Sequence, residues 1–499
     1  MTGPQKPHAS MSPRAVLGVV LGAGLLLGAY YGFIVTHGTM RFVGHEPGYR
    51  IYWGMWRSLA QGRFDLDPAD VQVEAFHRDG KTYTYYGIFP AFVRGAASLF
   101  GPPDRGGVSQ ISCVLAGLTA VLGFLWAGLV LGLHRGARRI PFVLLMVTLA
   151  LATPVVISLA LADIYNEAVL WGGAWGCLFN AFLIVFAESP REAPRARASL
   201  VGMAVSAGLS LLSRATTGFF AGLELIGLAA WMLSDGRRRK DASPDRRTLA
   251  IAAICYAALL AFAGIVNHAR WGNPLQFRPL QLQEAFENKP RGEVEAREGL
   301  FRLNRIATSA CFYFWPATGA LQRRWPFVSV YGNGCFEGSH AQTIESGDAK
   351  EGDGSPYYDL IDSVRMPLAI GSPALLLFAF MGIARMRFRP PLSLRDRVGI
   401  LLAASGLAAL AFFLTLDTLA LRYEVDLLPA LAGFGFFGVL SLPGEGGVRA
   451  RSRFAVTAAA ALLVAFSIFS THITMLVTKT IRGGVPGSIR VAAEALLRP

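Results

Sequence analysis

The segment RRIPFVLLMVTLALATPVVISLALADIYNE, residues 138–167, decides the fold of this chain. It holds an uncharged run from Ile140 to Ala162, preceded by Arg138 and Arg139 and followed by Asp163 and Glu167. About twenty apolar residues in a helix cross the roughly 30 Å of hydrocarbon in a bilayer. A run of that length is a membrane span, and its flanks give it a direction. Arginine and lysine collect on the cytoplasmic side of spans. Residues 138–139 therefore lie inside, and the acidic end lies outside.

Working outward, runs of the same kind recur along all 499 residues, near 15–36, 111–133, 140–161, 168–187, 198–213, 217–233, 249–266, 366–383, 398–416, 425–442 and 454–477. Every second connection is basic: Arg135 to Arg139, Arg191 to Arg197, Arg237 to Arg247, Arg385 to Arg397, and Arg449 to Arg453. The others are neutral or acidic; residues 267–365 carry eleven Lys or Arg against twelve Asp or Glu. The expected fold is an all-α polytopic membrane protein of about eleven transmembrane helices. A tail at 1–14 is cytoplasmic, a single transmembrane domain fills 15–477, and the tail at 478–499 is periplasmic. Two large periplasmic loops, 37–108 and 267–365, carry interfacial helices, and the bacterial inner membrane is the expected location. The first run is too long for a signal-peptide core and no small-x-small cleavage site follows, so it reads as an uncleaved anchor.

Composition agrees: 53% of residues are hydrophobic and only 16% charged, against about a quarter charged in soluble proteins. The net charge of +14 sits in the basic connections, so it reports topology and the bilayer as partner, not nucleic acid. Five cysteines form no CxxC. Cys113, Cys177 and Cys255 fall inside spans as small packing residues. Cys311 and Cys335 share the second outer loop, where a disulfide between them is open. The eight histidines show no HxxxH or HExxH spacing, so no zinc site is expected. No cofactor is specified, and a divalent cation is left open.

In the first loop, Ile51, Tyr52, Met55, Trp56 and Leu59 share one face of a helix over 49–61. Phe89, Phe92, Val93, Ala96 and Phe100 form a second stripe with Arg94 opposite, and 300–314 is a third candidate with Leu303, Ile306 and Phe314. Each is either an interfacial helix or ordinary core packed on the bundle. Residues 338–356, rich in Gly, Ser, Asp and Glu, read as surface loop.

Polar residues gather where spans meet the outer face. The first loop supplies Glu46, Asp65, Asp67 and Glu74; the third-to-fourth junction Asp163 and Glu167; the next outer turn Arg214; the end of the seventh span Asn267 and Arg270; the ninth-to-tenth turn Arg422 and Asp426. If the helices bundle, these clusters surround one cavity. Arginine forks hold phosphate bidentately, and a carboxylate at the boundary accepts a proton from a hydroxyl. The chemistry suits transfer of a group from a lipid-phosphate carrier.

At these residues the chain resembles the GT-C superfamily of integral-membrane glycosyltransferases, which use polyprenyl-phosphate sugars, in its protein-mannosyltransferase-like branch with uncharacterised bacterial members. His45-Glu46-Pro47-Gly48-Tyr49 stands where that branch often has Asp-Glu-x-x-Tyr, with His45 replacing the first acid. The runs 74–91, Tyr165-Asn166-Glu167, Arg270-Trp271-Gly272-Asn273-Pro274 and Arg422-Tyr423-x-x-Asp426 look similar to such members too. The resemblance implies inverting sugar transfer from a polyprenyl-phosphate donor to a periplasmic glycan or lipid acceptor. Glu46 is the first choice of base, with Asp65, Asp67 and Glu74 in reserve. Arg214, Arg270 and Arg422 would contact donor phosphate; Asp163, Glu167, Asn267 and Asp426 would orient them or bind the acceptor. A transporter or lipid flippase, and a noncatalytic envelope-assembly protein, are the alternatives. The first would place ionisable groups near mid-membrane, where the spans read as nearly uncharged.

Overall fold

The computed structural model describes residues 11–42, 50–101, 107–190, 192–238, 246–276, 299–315, 342–343, 357–360, 366–386, 394–416, 418–442 and 450–481. Each of the eleven expected spans has its helix there. The long ones are α1 (Pro13–Val35), α5 (Val108–Val130), α8 (Ile164–Glu188), α9 (Pro194–Ser213), α10 (Ala215–Arg238), α11 (Arg246–Trp271), α15 (Leu394–Thr415), α16 (Glu424–Leu440) and α17 (Ala450–Ile481). Two spans are broken. The third divides into α6 (Arg139–Leu151) and α7 (Pro154–Leu161) at Pro154, and the eighth into α13 (Leu368–Gly371) and α14 (Pro373–Ile383) at Pro373. A proline starts a helix well but cannot continue one, because it has no N–H for the preceding turn. Counting the third span as one, ten helices among the described residues are long and apolar enough to cross a bilayer, and α14 is a shorter apolar one. The chain is a multi-pass membrane protein.

Burial sorts the spans into centre and perimeter. The apolar windows of α8 and α16 are 83% and 89% buried, while those of α1 and α11 are 22% and 17% buried. A helix apolar on all sides belongs in the interior. Accordingly α8 packs against α5, α9 and α16. The outer helices turn leucines such as Leu21, Leu25 and Leu26 away from the protein, where lipid is the natural neighbour. At the crossing of α14 and α16 the backbones touch: a Cβ on Gly382 would lie 1.9 Å from the Phe434 carbonyl oxygen.

The first loop folds onto one end of this bundle. It contains α2 (Arg50–Ala60), the short α3 (Pro68–Val71), a hairpin of β1 (Phe76–Arg78) and β2 (Lys81–Tyr83), and α4 (Phe89–Ser98). Asp79 and Gly80 at the hairpin tip both have positive φ, 52° and 70°, the backbone that a tight two-residue hairpin turn needs. Phe76 and Tyr83, paired across the strands, pack on Trp271 at the end of α11, with ring centroids 5.3 and 6.0 Å apart.

For the three amphipathic stretches the outcome is mixed. In α2 the face of Ile51, Tyr52 and Met55 is buried against protein, the core alternative. In α4 Arg94 is wholly buried beside Ala91 and Gly95, while Phe92, Leu99 and Phe100 are exposed. The stripe is therefore divided: Phe89 packs on Trp171 and Trp175 and Val93 on the core, while Phe92, Ala96 and Phe100 stay exposed, because a buried acid turns Arg94 inward. The third stretch forms α12 (Ile306–Tyr313), whose Phe312 and Tyr313 pack with Phe413 and Tyr423 while Leu303 before it stays exposed. Short strands β3 (Gln342–Thr343), β4 (Tyr357–Leu360) and β5 (Thr418–Leu419) tie the second loop to the segment before α16. Most of 338–356 lies outside the described residues.

Replacing Gly382 by valine forces α14 off α16. The expected cost is about 1–3 kcal/mol, as in other overpacked cores, read as a lower thermal unfolding midpoint in detergent; an unchanged midpoint would show that the two backbones are not in contact.

Candidate functional site

The site is built on the turn between α7 and α8. Ala162 ends α7 in the left-handed region, φ 44°, so the chain reverses in two residues. Asp163 then caps α8, accepting from the Asn166 backbone N–H at 2.9 Å and from Asn166 Nδ2 at 2.7 Å. This places Tyr165 and Glu167 at the end of the central helix, under the first loop. Glu167 is fully buried, and Arg94 of α4 grips it bidentately at 2.6 and 2.7 Å. Arg94 also donates to Ser109 Oγ at 2.7 Å, and its guanidinium carbon lies 5.4 Å from the Tyr52 ring centroid. Burial pulls the Arg94 pKa down, but the Glu167 carboxylate more than offsets this and leaves it above the ordinary arginine value. Tyr52 itself is pushed well up, first by burial and then by Glu167.

Three further arginines converge beside this pair, from three distant parts of the sequence. Arg214, between α9 and α10, meets Asp426 Oδ2 through Nε at 3.2 Å and Nη2 at 3.1 Å, while Thr217 donates to Asp426 Oδ1 at 2.7 Å. Here too burial lowers the guanidinium pKa and the carboxylate raises it, with a net rise. Arg214 lies 4.8 Å from the Tyr423 ring centroid, and Arg422 lies 5.1 Å from that of Tyr165 and 5.4 Å from that of Tyr423. The chain can come this close to α8 because Gly172 faces it; a Cβ there would lie 2.3 Å from Arg214 Cβ. Arg270, at the end of α11, is 4% exposed and donates to the Tyr86 carbonyl at 3.0 Å. Its Nε has no hydrogen-bond partner, and among the described residues no carboxylate lies within ion-pair distance of it. Tyr86 packs edge-on against Tyr165 and stacks on Tyr85, with centroids 5.6 and 4.5 Å apart. The three arginines are thus linked through one group of tyrosines.

The acids expected at the site divide. Glu74 reaches it and accepts a hydrogen bond from the Tyr165 hydroxyl. Asp65 and Asp67 are held by local contacts in the first loop instead: Asp65 pairs with Arg63 at 2.7 Å, and Asp67 caps α3 through the Ala69 N–H at 2.9 Å. Asp163, Glu167 and Asp426 are all buried in contacts with protein groups. Asn267 donates to the Pro274 carbonyl at 3.2 Å, closing the turn after α11. Glu46 lies outside the described residues. Cys311 is disulfide-bonded; Cys335 lies outside the described residues, and Cys113, Cys177 and Cys255 form no disulfide. Among the described residues no three His, Cys, Asp or Glu side chains come together as a metal site.

Sequence reasoning missed Arg94, Tyr52 and Tyr86. For Arg94 a signal existed: Ala91 and Gly95 share its helical face, and small residues flanking a charge mark close packing around it. It also missed a mid-depth acid, Glu224, buried on α10 with Ser405 of α15 donating to it.

No family model and no curated protein matches the chain in sequence. Solved structures do match in shape. The oligosaccharyltransferase of Archaeoglobus fulgidus aligns over 96% of this chain and 60% of its own, with TM-score 0.50 and 14% identity. ArnT from Cupriavidus metallidurans, bound to undecaprenyl phosphate, aligns over 97% and 76% with TM-score 0.46 and 15% identity. The first of these shows the fold alone: the chain shares the multi-span helical architecture of that archaeal enzyme. It spans about three-fifths of the length of that archaeal enzyme.

Removing Arg94 leaves Glu167 buried without its counter-ion. Arg94→Met is expected to cost about 3–5 kcal/mol, while Arg94→Met with Glu167→Leu recovers most of it. Thermal unfolding of the two variants separates the outcomes; equal losses would mean the pair is not what anchors the first loop.

Proposed function

We propose that the chain is a membrane glycosyltransferase that moves a sugar from a polyprenyl-phosphate donor to an acceptor on the outer face of the bacterial inner membrane. The observation that carries this reading is Arg270. A guanidinium that is 4% exposed, with a bare Nε and no carboxylate beside it among the described residues, is a cation prepared for an anion that the described residues do not supply. Desolvated charges are otherwise paired. Arg214 has its charge matched by Asp426, so Arg270 is the first contact for donor phosphate, with Arg422 and Arg214 beside it. The basic connections at the opposite end of the bundle support a periplasmic orientation of this site.

In the transfer itself, an acceptor hydroxyl oxygen bonds to the anomeric carbon as the bond from that carbon to the phosphate oxygen breaks. The leaving polyprenyl phosphate takes the bonding electrons and rests on the arginines. A first-loop carboxylate takes the hydroxyl proton, Glu46 in first place and Glu74, hydrogen-bonded to Tyr165, in second. Inversion at the anomeric carbon follows from a single displacement. The arginines serve the donor phosphate, and the reading assigns no step to a divalent cation.

The buried, mid-depth Glu224 favours a second reading, translocation of a lipid-linked substrate, since such residues often mark transport paths. Reconstituted vesicles separate the two. Appearance of a covalent product supports transfer, and substrate crossing without product supports transport.

Substitutions at two residues test the site. Arg270→Met is expected to lower transfer at least about 100-fold, the scale of removing one preorganised charge contact, with Arg270→Lys partly active. Glu46→Gln is expected to lower transfer by about 100- to 10,000-fold, the range for loss of a general base, in protein that still inserts. The readout is radiolabelled sugar passed from a polyprenyl-phosphate donor to envelope acceptor; full activity in either variant removes that residue from the mechanism.

A further inference from the structure

Beneath the outer site lies a cavity of about 30 Å³, set between α8, α10, α15 and α16 and lined by Asn180, Thr217, Glu224, Ser405, Asp426 and Pro429 among others. Glu224 is ten residues past Arg214, about 15 Å further along the helix and so near the middle of the hydrocarbon layer. It is 6% exposed. Ser405 donates to its Oε1, and its Oε2 has no partner. Asn180, 2% exposed, donates through Nδ2 to the Pro429 carbonyl at 2.8 Å, and its Oδ1 is likewise without a partner.

The lining is therefore rich in acceptors, two of them without a partner among the described residues. Asp426 is matched by Arg214, whereas among the described residues no Lys, Arg or His lies within ion-pair distance of Glu224. Oxygen ligands of this kind, a carboxylate with an amide, suit a hard cation. The volume admits about two water-sized particles, so the cation is small and largely dehydrated.

We propose that this cavity binds one sodium-sized monovalent cation, held by Glu224 Oε2 with Asn180 Oδ1 as a neutral ligand. Occupancy cross-links α8, α10, α15 and α16. Because Thr217 and Asp426 line the same cavity, it also steadies the carboxylate that holds Arg214. The site does not depend on which reaction the outer face performs.

The test uses the full chain in detergent at fixed pH and ionic strength. Replacing choline chloride with sodium chloride is expected to raise the unfolding midpoint saturably by about 2 °C, the scale for a ligand about tenfold above its dissociation constant. Glu224→Gln, nearly isosteric, is expected to fold and to lose the sodium response. Radioactive sodium is expected to bind wild-type protein at one ion per chain, so the proposal is tested even where a variant unfolds. Asn180→Leu should weaken that binding about tenfold, a change of about 1.4 kcal/mol. The proposal is overturned by equal midpoints in the two salts with no bound sodium, by a sodium response that survives Glu224→Gln, or by stabilisation that follows pH while ignoring sodium. None of these measurements reads sugar transfer, so the site fails or stands apart from the function proposed above.

Discussion

The ion pair between Arg94 and Glu167 is the constraint on which the rest of the site depends. Both side chains are removed from solvent, 1% and 0% exposed, and their bonds are bidentate. Burying two charges is unfavourable unless the geometry is good and the remaining donors find acceptors. Ser109 and the face of Tyr52 help to meet that condition. The contribution of such a pair is specificity more than net stability. With Glu167 fixed at the head of the central helix, α4 has one orientation in which its arginine is satisfied. Phe92 and Phe100 then point away from the protein.

That orientation sets the rest of the first loop. With α4 fixed, the preceding Tyr85 and Tyr86 lie over the end of α8, where Tyr86 meets Tyr165 and its carbonyl receives Arg270. The hairpin between them and α2 is held by Trp271, the residue after that arginine. The loop and the seventh span thus fix each other through two adjacent residues, one aromatic and one cationic. On the other side Asp426 gathers Arg214 and Thr217 at the head of α16, and Tyr423 presents its ring to both Arg214 and Arg422. Tyrosine suits this setting because its ring attracts guanidinium groups while its hydroxyl can still meet a polar neighbour.

The positions of the acids follow from the same packing. An acid beside an arginine from another segment, such as Asp426 or Glu167, is withdrawn into structure, and one with a short-range partner, such as Asp65, stays in the loop that bears it. Glu74 differs in meeting a tyrosine hydroxyl of α8. Glu224 differs again, because a serine is the partner the described structure gives it deep in the bundle.

The sequence by itself determined the number and order of the spans, since an uncharged run of bilayer length reads the same wherever it packs, and alternating basic connections order such runs without any knowledge of contacts. It also located the turns where Asp163, Arg214, Arg270 and Asp426 would appear, because chain reversals at a membrane surface are where polar residues are tolerated. Only the tertiary structure decided what each of those residues does. Whether α4 shows lipid its phenylalanines or its arginine depends on an acid 73 positions away, and no periodicity within ten residues carries that information. Glu224 escaped notice for a related reason: one acid in an apolar helix hardly changes its hydropathy, and its meaning comes from Asn180 and Ser405 on helices that only folding brings beside it.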